Sequence, residues 1–268
     1  LHTIARPERA RYLQVMKTVL ITGCSSGYGL ETARHFYAQG WHVVATMRRP
    51  RRDALPVDER MKVLALDVTK PDSIAAALDA SGPVDVLVNN AGIGAMGAFE
   101  AVPMDMVREI FETNTFGVMA MTQAVLPQMR ARRSGVVVNL TSTVTMAPMP
   151  LVAVYTASKT AIEGFSASLA LELEEFGVRV KLVEPGYGPG TSFTLNAGAR
   201  AAQELIPEAY APFARRVFAA MGQSAAVTTA GDVAEVVLRA ATDPSGRLRF
   251  PAGADAVALD LARRSGAA

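Results

Sequence analysis

Lys17-Thr18-Val19-Leu20-Ile21-Thr22-Gly23-Cys24-Ser25-Ser26-Gly27-Tyr28-Gly29 is a short β-branched run that opens into a glycine-rich turn. From Leu30 to Gln39 the apolar residues Leu30, Ala33 and Phe36 recur at helical spacing, and Gly40 stops the run. Glycines in a strand-turn-helix setting let the backbone approach a phosphate, and the free N–H groups at the helix start attract the anion. An ordinary connecting turn is the plainer alternative. The flanking strand and helix favour the phosphate site.

Working outward, the 268 residues suit one large domain, and half of them are apolar, enough for a sizeable core. A net charge of +2 gives no case for nucleic acid. The basic residues are scattered apart from Arg48, Arg49, Arg51 and Arg52. The single cysteine, Cys24, excludes an intrachain disulfide. No apolar run reaches the roughly 18 residues of a membrane span. A soluble cytoplasmic protein with no metal site is expected. Leu1 to Val15 is polar and arginine-rich, without the apolar segment of a secretory signal. It reads as a flexible N-terminal extension before Met16, where a native start would fit. Glu8 and the shortness of the stretch argue against a mitochondrial presequence.

Trp41 to Met47 is the second strand, and it runs into Arg48 with no Asp or Glu before Asp53. In dinucleotide folds an acidic residue here bonds the ribose 2′-hydroxyl, whereas an arginine accommodates a 2′-phosphate. Arg48 therefore argues for NADP over NAD, unless these arginines are solvated loop charges. Met61 to Leu66 is a third strand, followed by Asp67-Val68 and a helix from Asp72 to Ala80. Val84 to Val88 is a fourth, ending in Asn89-Asn90-Ala91-Gly92, which suits either a ligand crevice or a turn. Met104 to Met129 reads as a long helix broken by Pro127. Asn114 inside its apolar pattern is a structural bridge or holds a catalytic water. Gly135 to Leu140 is a buried strand with Thr141-Ser142-Thr143 at its carboxyl end. Val152 to Phe176 contains a helix, and Val178 to Val183 is a strand leading to Pro185-Gly186-Tyr187-Gly188. This alternation predicts an α/β fold, a doubly wound parallel sheet in three layers, as a single domain over residues 16–264. The stretch 192–225, with Phe193, Leu195 and Phe213, reads as mobile helices over an apolar pocket or as a plain packed pair. Ala230 to Ala241 is a helix, Arg247 to Phe250 a last strand, and Pro251 to Arg264 a short helix and tail.

Tyr155-Thr156-Ala157-Ser158-Lys159 places a phenol and an ammonium one helical turn apart on one face. The positive charge favours the phenolate, so the tyrosine pKa, about 10 when unperturbed, is expected to fall towards working pH. Such a tyrosine exchanges a proton with a carbonyl or alcohol oxygen. Alone the spacing is weak. Ser142 and the glycine turn give it weight.

Taken together these residues resemble the short-chain dehydrogenase/reductase family in its compact single-domain branch. The likeness runs from about Met16 to about Leu261. It rests on the 22–29 turn, Asp67, Asn89-Asn90-Ala91-Gly92, Asn114, Ser142, Tyr155/Lys159 and Pro185-Gly186. Within the family the chain is similar to NADP-preferring 17β-hydroxysteroid-dehydrogenase-like reductases. The resemblance implies a Rossmann-type sheet and NAD(P)-dependent transfer of hydride between a nicotinamide and a carbonyl or secondary alcohol.

It also implies roles. Gly23, Ser25, Ser26, Gly27, Tyr28 and Gly29 would border the pyrophosphate, with Arg48 at the ribose. Asp67 and Val68 would meet the adenine, and Asn90, Ala91 and Gly92 the middle of the cofactor. Lys159 would bind the nicotinamide ribose and lower the Tyr155 pKa. Tyr155 would exchange the proton, Ser142 would bond the substrate oxygen, and Asn114 would hold a relay water. Pro185, Gly186, Gly188 and Thr191 would sit beside the nicotinamide.

There are three departures from the family pattern. Tyr28 stands where isoleucine is usual, the residues after Ser142 lack the common glycines, and Thr191 comes one position late after Pro185-Gly186. A homodimer or homotetramer through the helices at 104–129 and 152–176 is implied as well. The methionines Met96, Met146 and Met149, with Phe193, suggest an apolar or ring-bearing substrate. A dinucleotide-binding sensor or scaffold that does not turn over is the competing reading, and the complete Asn/Ser/Tyr/Lys set argues against it.

Overall fold

The computed structural model describes residues 16–189, 205–222 and 226–266. The N-terminal extension, Thr191, Phe193 and Leu195 lie outside the described residues. Seven strands form one parallel sheet: β1 (Thr18–Ile21), β2 (His42–Met47), β3 (Met61–Ala65), β4 (Val86–Asn89), β5 (Gly135–Leu140), β6 (Val178–Pro185) and β7 (Arg249–Ala252). Their order is β3-β2-β1-β4-β5-β6-β7. The order therefore reverses between β1 and β4, which opens a crevice at their carboxyl ends.

Strand residues alternate between two covered faces. Val19 and Ile21 pack into the layer with α1 (Gly27–Ala38), while Leu20 packs into the opposite one with α2 (Pro71–Ser81). Phe36 of α1 is fully buried and meets Trp41 edge-on at 5.0 Å. Burying such a ring contributes roughly 2–3 kcal/mol.

Between Met104 and Arg132 the expected helix is irregular in a different place from the one its proline suggested. Pro127 sits inside α4 (Gly117–Arg132) without breaking it. The discontinuity is a π-helical turn, Glu112–Phe116, after α3 (Met104–Phe111). π-turns insert one residue and re-aim side chains at functional sites. Here Asn114 is turned fully inward. Helix α5 (Ala153–Glu174) crosses beside it.

Strand β6 runs two residues further than its sequence suggested. The last strand begins at Arg249 and includes Pro251, which β7 tolerates because it is a sheet edge. Helix α6 (Ala211–Gly222), α7 (Ala230–Thr242) and α8 (Ala254–Arg264) complete the described chain.

The sheet centre carries amides as well as aliphatics. Asn89 and Asn139 are register partners on β4 and β5. Asn89 Nδ2 donates to Asn139 Oδ1 (2.9 Å) and to Thr122 Oγ1 (3.1 Å), and Asn139 Nδ2 donates to Ser166 Oγ (2.9 Å). Both of these buried amide nitrogens thus have a partner. Among the described residues no helix is long and apolar enough to cross a membrane, and no cluster of His, Cys, Asp and Glu fits a metal ion.

Candidate active site

Thr22, at the end of β1, ties the crevice together. Its Oγ1 accepts from the backbone N–H groups of Asn90 (3.0 Å) and Ala91 (2.9 Å). The Asn90 carboxamide donates back to the carbonyls of Thr22 (2.8 Å) and Gly23 (3.1 Å). The glycine turn therefore lies directly on the end of β4. A Cβ on Gly29 would stand 2.4 Å from Asn90 Nδ2 and 2.4 Å from the Gly23 carbonyl oxygen. Gly23 itself has φ +78°. Helix α1 starts at Gly27, earlier than the apolar spacing indicated, and its N-cap Ser26 places no side-chain bond on the first amides.

One cavity of about 450 Å³ runs along this seam. It is lined by Gly23, Ser25, Ser26, Gly27, Tyr28 and Gly29, then Arg48, Asp67, Val68, Asn90, Ala91 and Gly92, and finally Ser142, Tyr155, Lys159, Pro185, Gly186 and Gly188. Every described candidate residue except Asn114 borders it. Asn114 lies just beneath. Its Oδ1 accepts from Ile93 N–H (2.8 Å), and its Nδ2 donates to the Ile93 carbonyl (2.8 Å) and to Ser158 Oγ (3.1 Å). It is a bridge between the loop after β4 and α5.

The far end of the cavity suits an adenosine phosphate. Arg48 is exposed there. Burial works against the Asp67 carboxylate. Bonds from Thr69 N–H (3.0 Å) and Thr69 Oγ1 (2.8 Å), with Arg48 and Lys70 nearby, nevertheless bring it below the usual carboxylate range. Arg51, which the sequence marks only as one of the clustered arginines, donates to the Ser25 carbonyl (2.9 Å) and braces the turn. Helix-start amides without a side-chain cap, serine hydroxyls and an exposed guanidinium are donors of the kind that the phosphates of a dinucleotide accept from.

At the other end, Lys159 Nζ donates to the Leu140 carbonyl at the end of β5 (2.8 Å) and lies 5.8 Å from the centroid of the Tyr155 ring. Ser142 Oγ accepts from Val144 N–H (3.4 Å) as β5 enters a 3₁₀ turn, Thr143–Thr145. The fall expected in the Tyr155 pKa does not follow from this geometry. Burial pushes the phenol up to about 12, against a hydrogen bond with Ser142 that draws it down. Burial also lowers Lys159 to about 8, with Glu163 opposing. Desolvating a phenolate outweighs an ammonium that already serves a backbone carbonyl.

Tyr28 lines the cavity with its hydroxyl beside Gly188. A Cβ on Gly188 would lie 2.1 Å from its hydroxyl. Burial, then the neighbouring Tyr155, raises the Tyr28 phenol above its usual range. The Gly186-Tyr187 stretch is clamped by Asp255, which accepts from Tyr187 N–H (2.6 Å) and Thr228 Oγ1 (2.7 Å). No local signal marked Asp255, because its partners are distant in sequence. Around Tyr155 the wall is apolar: Met96, Val144, Met149, Val152 and Met221. Met96 and Met149 were anticipated, whereas Met146 does not line the cavity. Met221 comes from α6, within the described 205–222 part of the 192–225 stretch.

The family model for short chain dehydrogenase matches residues 17–201. The chain belongs to the short-chain dehydrogenase/reductase family. Members of this family are NAD(P)-dependent oxidoreductases acting on CH–OH groups. The chain is 41% identical over 182 residues to retinol dehydrogenase 8 of Bos taurus, covering 63% of this chain and 58% of that protein. Against the human retinol dehydrogenase 8 the identity is 37% over 230 residues, covering 78% and 74%. It is 41% identical over 183 residues to human 17-beta-hydroxysteroid dehydrogenase type 1, covering 63% and 56%. The matches thus span between a little over half and three quarters of these relatives' lengths.

Among solved structures, a short-chain dehydrogenase from Streptomyces avermitilis superposes with a TM-score of 0.78 at 33% identity, covering 94% of this chain and 93% of that one. Proteins of this shape have been solved with either cofactor. One is a serine dehydrogenase complexed with NADP+ (29% identity, TM-score 0.74, covering 87% and 93%). Another is a 3-ketoacyl-(acyl-carrier-protein) reductase of Brucella melitensis complexed with NADH (25%, 0.72, covering 88% and 96%).

Proposed function

We propose that this short-chain dehydrogenase/reductase is an NADP-dependent oxidoreductase that interconverts an apolar ketone and its secondary alcohol. The observation that carries this reading is one continuous cavity among the described residues. It joins a phosphate-binding turn to Ser142, Tyr155 and Lys159 under a wall of methionine and valine. The nicotinamide dinucleotide, when bound, supplies or accepts the hydride. The glycine turn would hold its pyrophosphate, and Arg48 its 2′-phosphate.

The chain's own residues handle the oxygen. Ser142 orients the carbonyl by a hydrogen bond, Tyr155 gives it the proton, and the charged Lys159 favours the phenolate that remains. Asn114 holds the loop and helix at the spacing this requires. The names of the relatives, a retinol and a hydroxysteroid dehydrogenase, support a bulky apolar substrate. The fold alone does not choose among such substrates. A cytoplasmic homo-oligomer completes the proposal, and sedimentation velocity of the purified chain tests the assembly.

Two outcomes test the reading directly. Calorimetry is expected to give tighter binding of NADPH than of NADH. Arg48→Ala should weaken NADPH by about 10- to 100-fold while leaving NADH nearly unchanged. Equal losses for both would sink the 2′-phosphate role. The pH dependence of ketone reduction tests the acid–base assignment. Lys159 is charged below its pKa of about 8, and Tyr155, at about 12, keeps its proton throughout that range. Reduction should therefore be level below pH 8 and fall towards tenfold per unit above it. A rate that rises through pH 8 contradicts the assignment.

A further inference from the structure

Behind Lys159 lies a buried charge cluster that the reaction scheme has not used. Glu163 follows Lys159 by four residues on α5, one turn on and on the same face, and is only 6% exposed. Both of its oxygens are engaged. Oε1 lies 3.2 Å from Thr145 Oγ1, whose one hydrogen also faces the Ser142 carbonyl at 2.8 Å. Oε2 pairs with Arg249 Nη1 on β7. The same Nη1 lies 2.6 Å from Oε1 of Glu184, fully buried on β6. Glu184 Oε2 has no hydrogen-bond partner among the described residues.

Two carboxyl groups thus share one guanidinium nitrogen inside the protein. Lys159, one turn before Glu163 on the same face of α5, is the cation that Glu163 acts on from that helix. Other groups bear on the cluster too. Arg263 of α8 acts on Glu184, while Tyr155 and the Leu140 carbonyl sit at Lys159. Burial, then Glu163, raises Glu184 to about 7, with Arg249 and Arg263 opposing.

We propose that Glu163 is a positioning residue, tied through Arg249 to Glu184 and through Thr145 to the Ser142 turn, that keeps the Lys159 ammonium charged and in place. This rests on the role given above to Lys159. Because Thr145 sits in the turn that starts at Ser142, one carboxylate braces two of the groups around the substrate oxygen. None of its contacts reaches substrate, so its effect is transmitted through Lys159 and that turn.

The direct test is a nitrogen-detected titration of [15N]lysine-labelled protein, with the Lys159 signal identified by its loss in Lys159→Met. The wild-type midpoint is expected near 8. Glu163→Gln, which keeps size and hydrogen bonding but removes charge, should lower it by about one unit, and Glu163→Asp should restore most of the shift. Glu184→Gln should move it in the same direction by a smaller step of at least about 0.3 unit. Unchanged midpoints in both glutamine variants, whatever their turnover, overturn the proposal and leave Glu163 a packing group. If Glu163→Gln does not fold, Glu184→Gln decides by the same criterion. A shifted midpoint with an unmoved pH–rate limb supports the Glu163 coupling and rejects the reading of Lys159 in catalysis, so the two fail separately.

Discussion

Replacing Tyr155 with phenylalanine is expected to lower turnover by about 10³-fold while leaving NADPH affinity within a factor of about two. In the proposed reaction the phenol gives the substrate oxygen its proton. Its removal takes away one oxygen atom and leaves the ring packed against Met96, Val144 and Val152. The fold should hold, because the lost bond to Ser142 is worth only about 1 kcal/mol. Turnover measured under saturating cofactor, beside NADPH binding by fluorescence, separates chemistry from binding. A loss below tenfold would mean that another acid does the work. Tyr28 is the group to suspect, since its phenol sits close enough to Tyr155 for their charges to interact. Tyr28→Phe should otherwise be nearly silent in turnover.

The second large effect concerns a methyl group. In an ordinary helix Gly→Ala stabilises by about 1 kcal/mol. Gly164, inside α5 with nothing within 4 Å of an added Cβ, should follow that rule. Gly29→Ala should reverse it. Its Cβ would lie 2.4 Å from a backbone carbonyl oxygen and 2.4 Å from the Asn90 amide that ties the turn to β4. Neither atom is the free end of a long side chain, so α1 must move away from the strand end. Overpacking of this kind costs about 1–3 kcal/mol. The displaced helix start should also weaken NADPH by at least about 100-fold. Urea unfolding and calorimetry on the two alanine variants give the comparison. A Gly29→Ala protein as stable and as tight as wild type would show that the turn has slack.

The sequence carried the parts of this site that depend on neighbours a few residues away. The glycine turn, the tyrosine–lysine spacing and the hydroxyls after β5 could be read because strand, turn and helix periods are local. The parts built across the sheet could not. Asp255, Thr228 and Gly186 meet only after β6, β7 and α8 have assembled, and Arg249 reaches Glu163 across 86 positions of chain. The tyrosine's electrostatics were misjudged for a related reason. Helical spacing gave the distance to a charge but not the depth of burial that outweighs it. Pro127 misled in the same way. A rule about local geometry pointed to a break at the proline, whereas the discontinuity came where Asn114 had partners on two other segments.

The facing pair Asn89 and Asn139 has a consequence for how the halves of the cavity are matched. Parallel strands covered on both faces are rich in interchangeable Val and Leu, and aliphatic contacts alone discriminate poorly between neighbouring alignments of β4 and β5. An amide lacking its counterpart in a dry interior is heavily penalised, by about 1–3 kcal/mol for each orphaned group. A slide of one residue, about 3.3 Å, would strand both amides at once. Asn90 lies immediately beyond one of them, and Ser142 three residues beyond the other. The pair therefore acts as a vernier. It sets the height of the cavity's Asn90 edge against the height of its Ser142 edge, and it does so from inside the sheet, where both amides are buried.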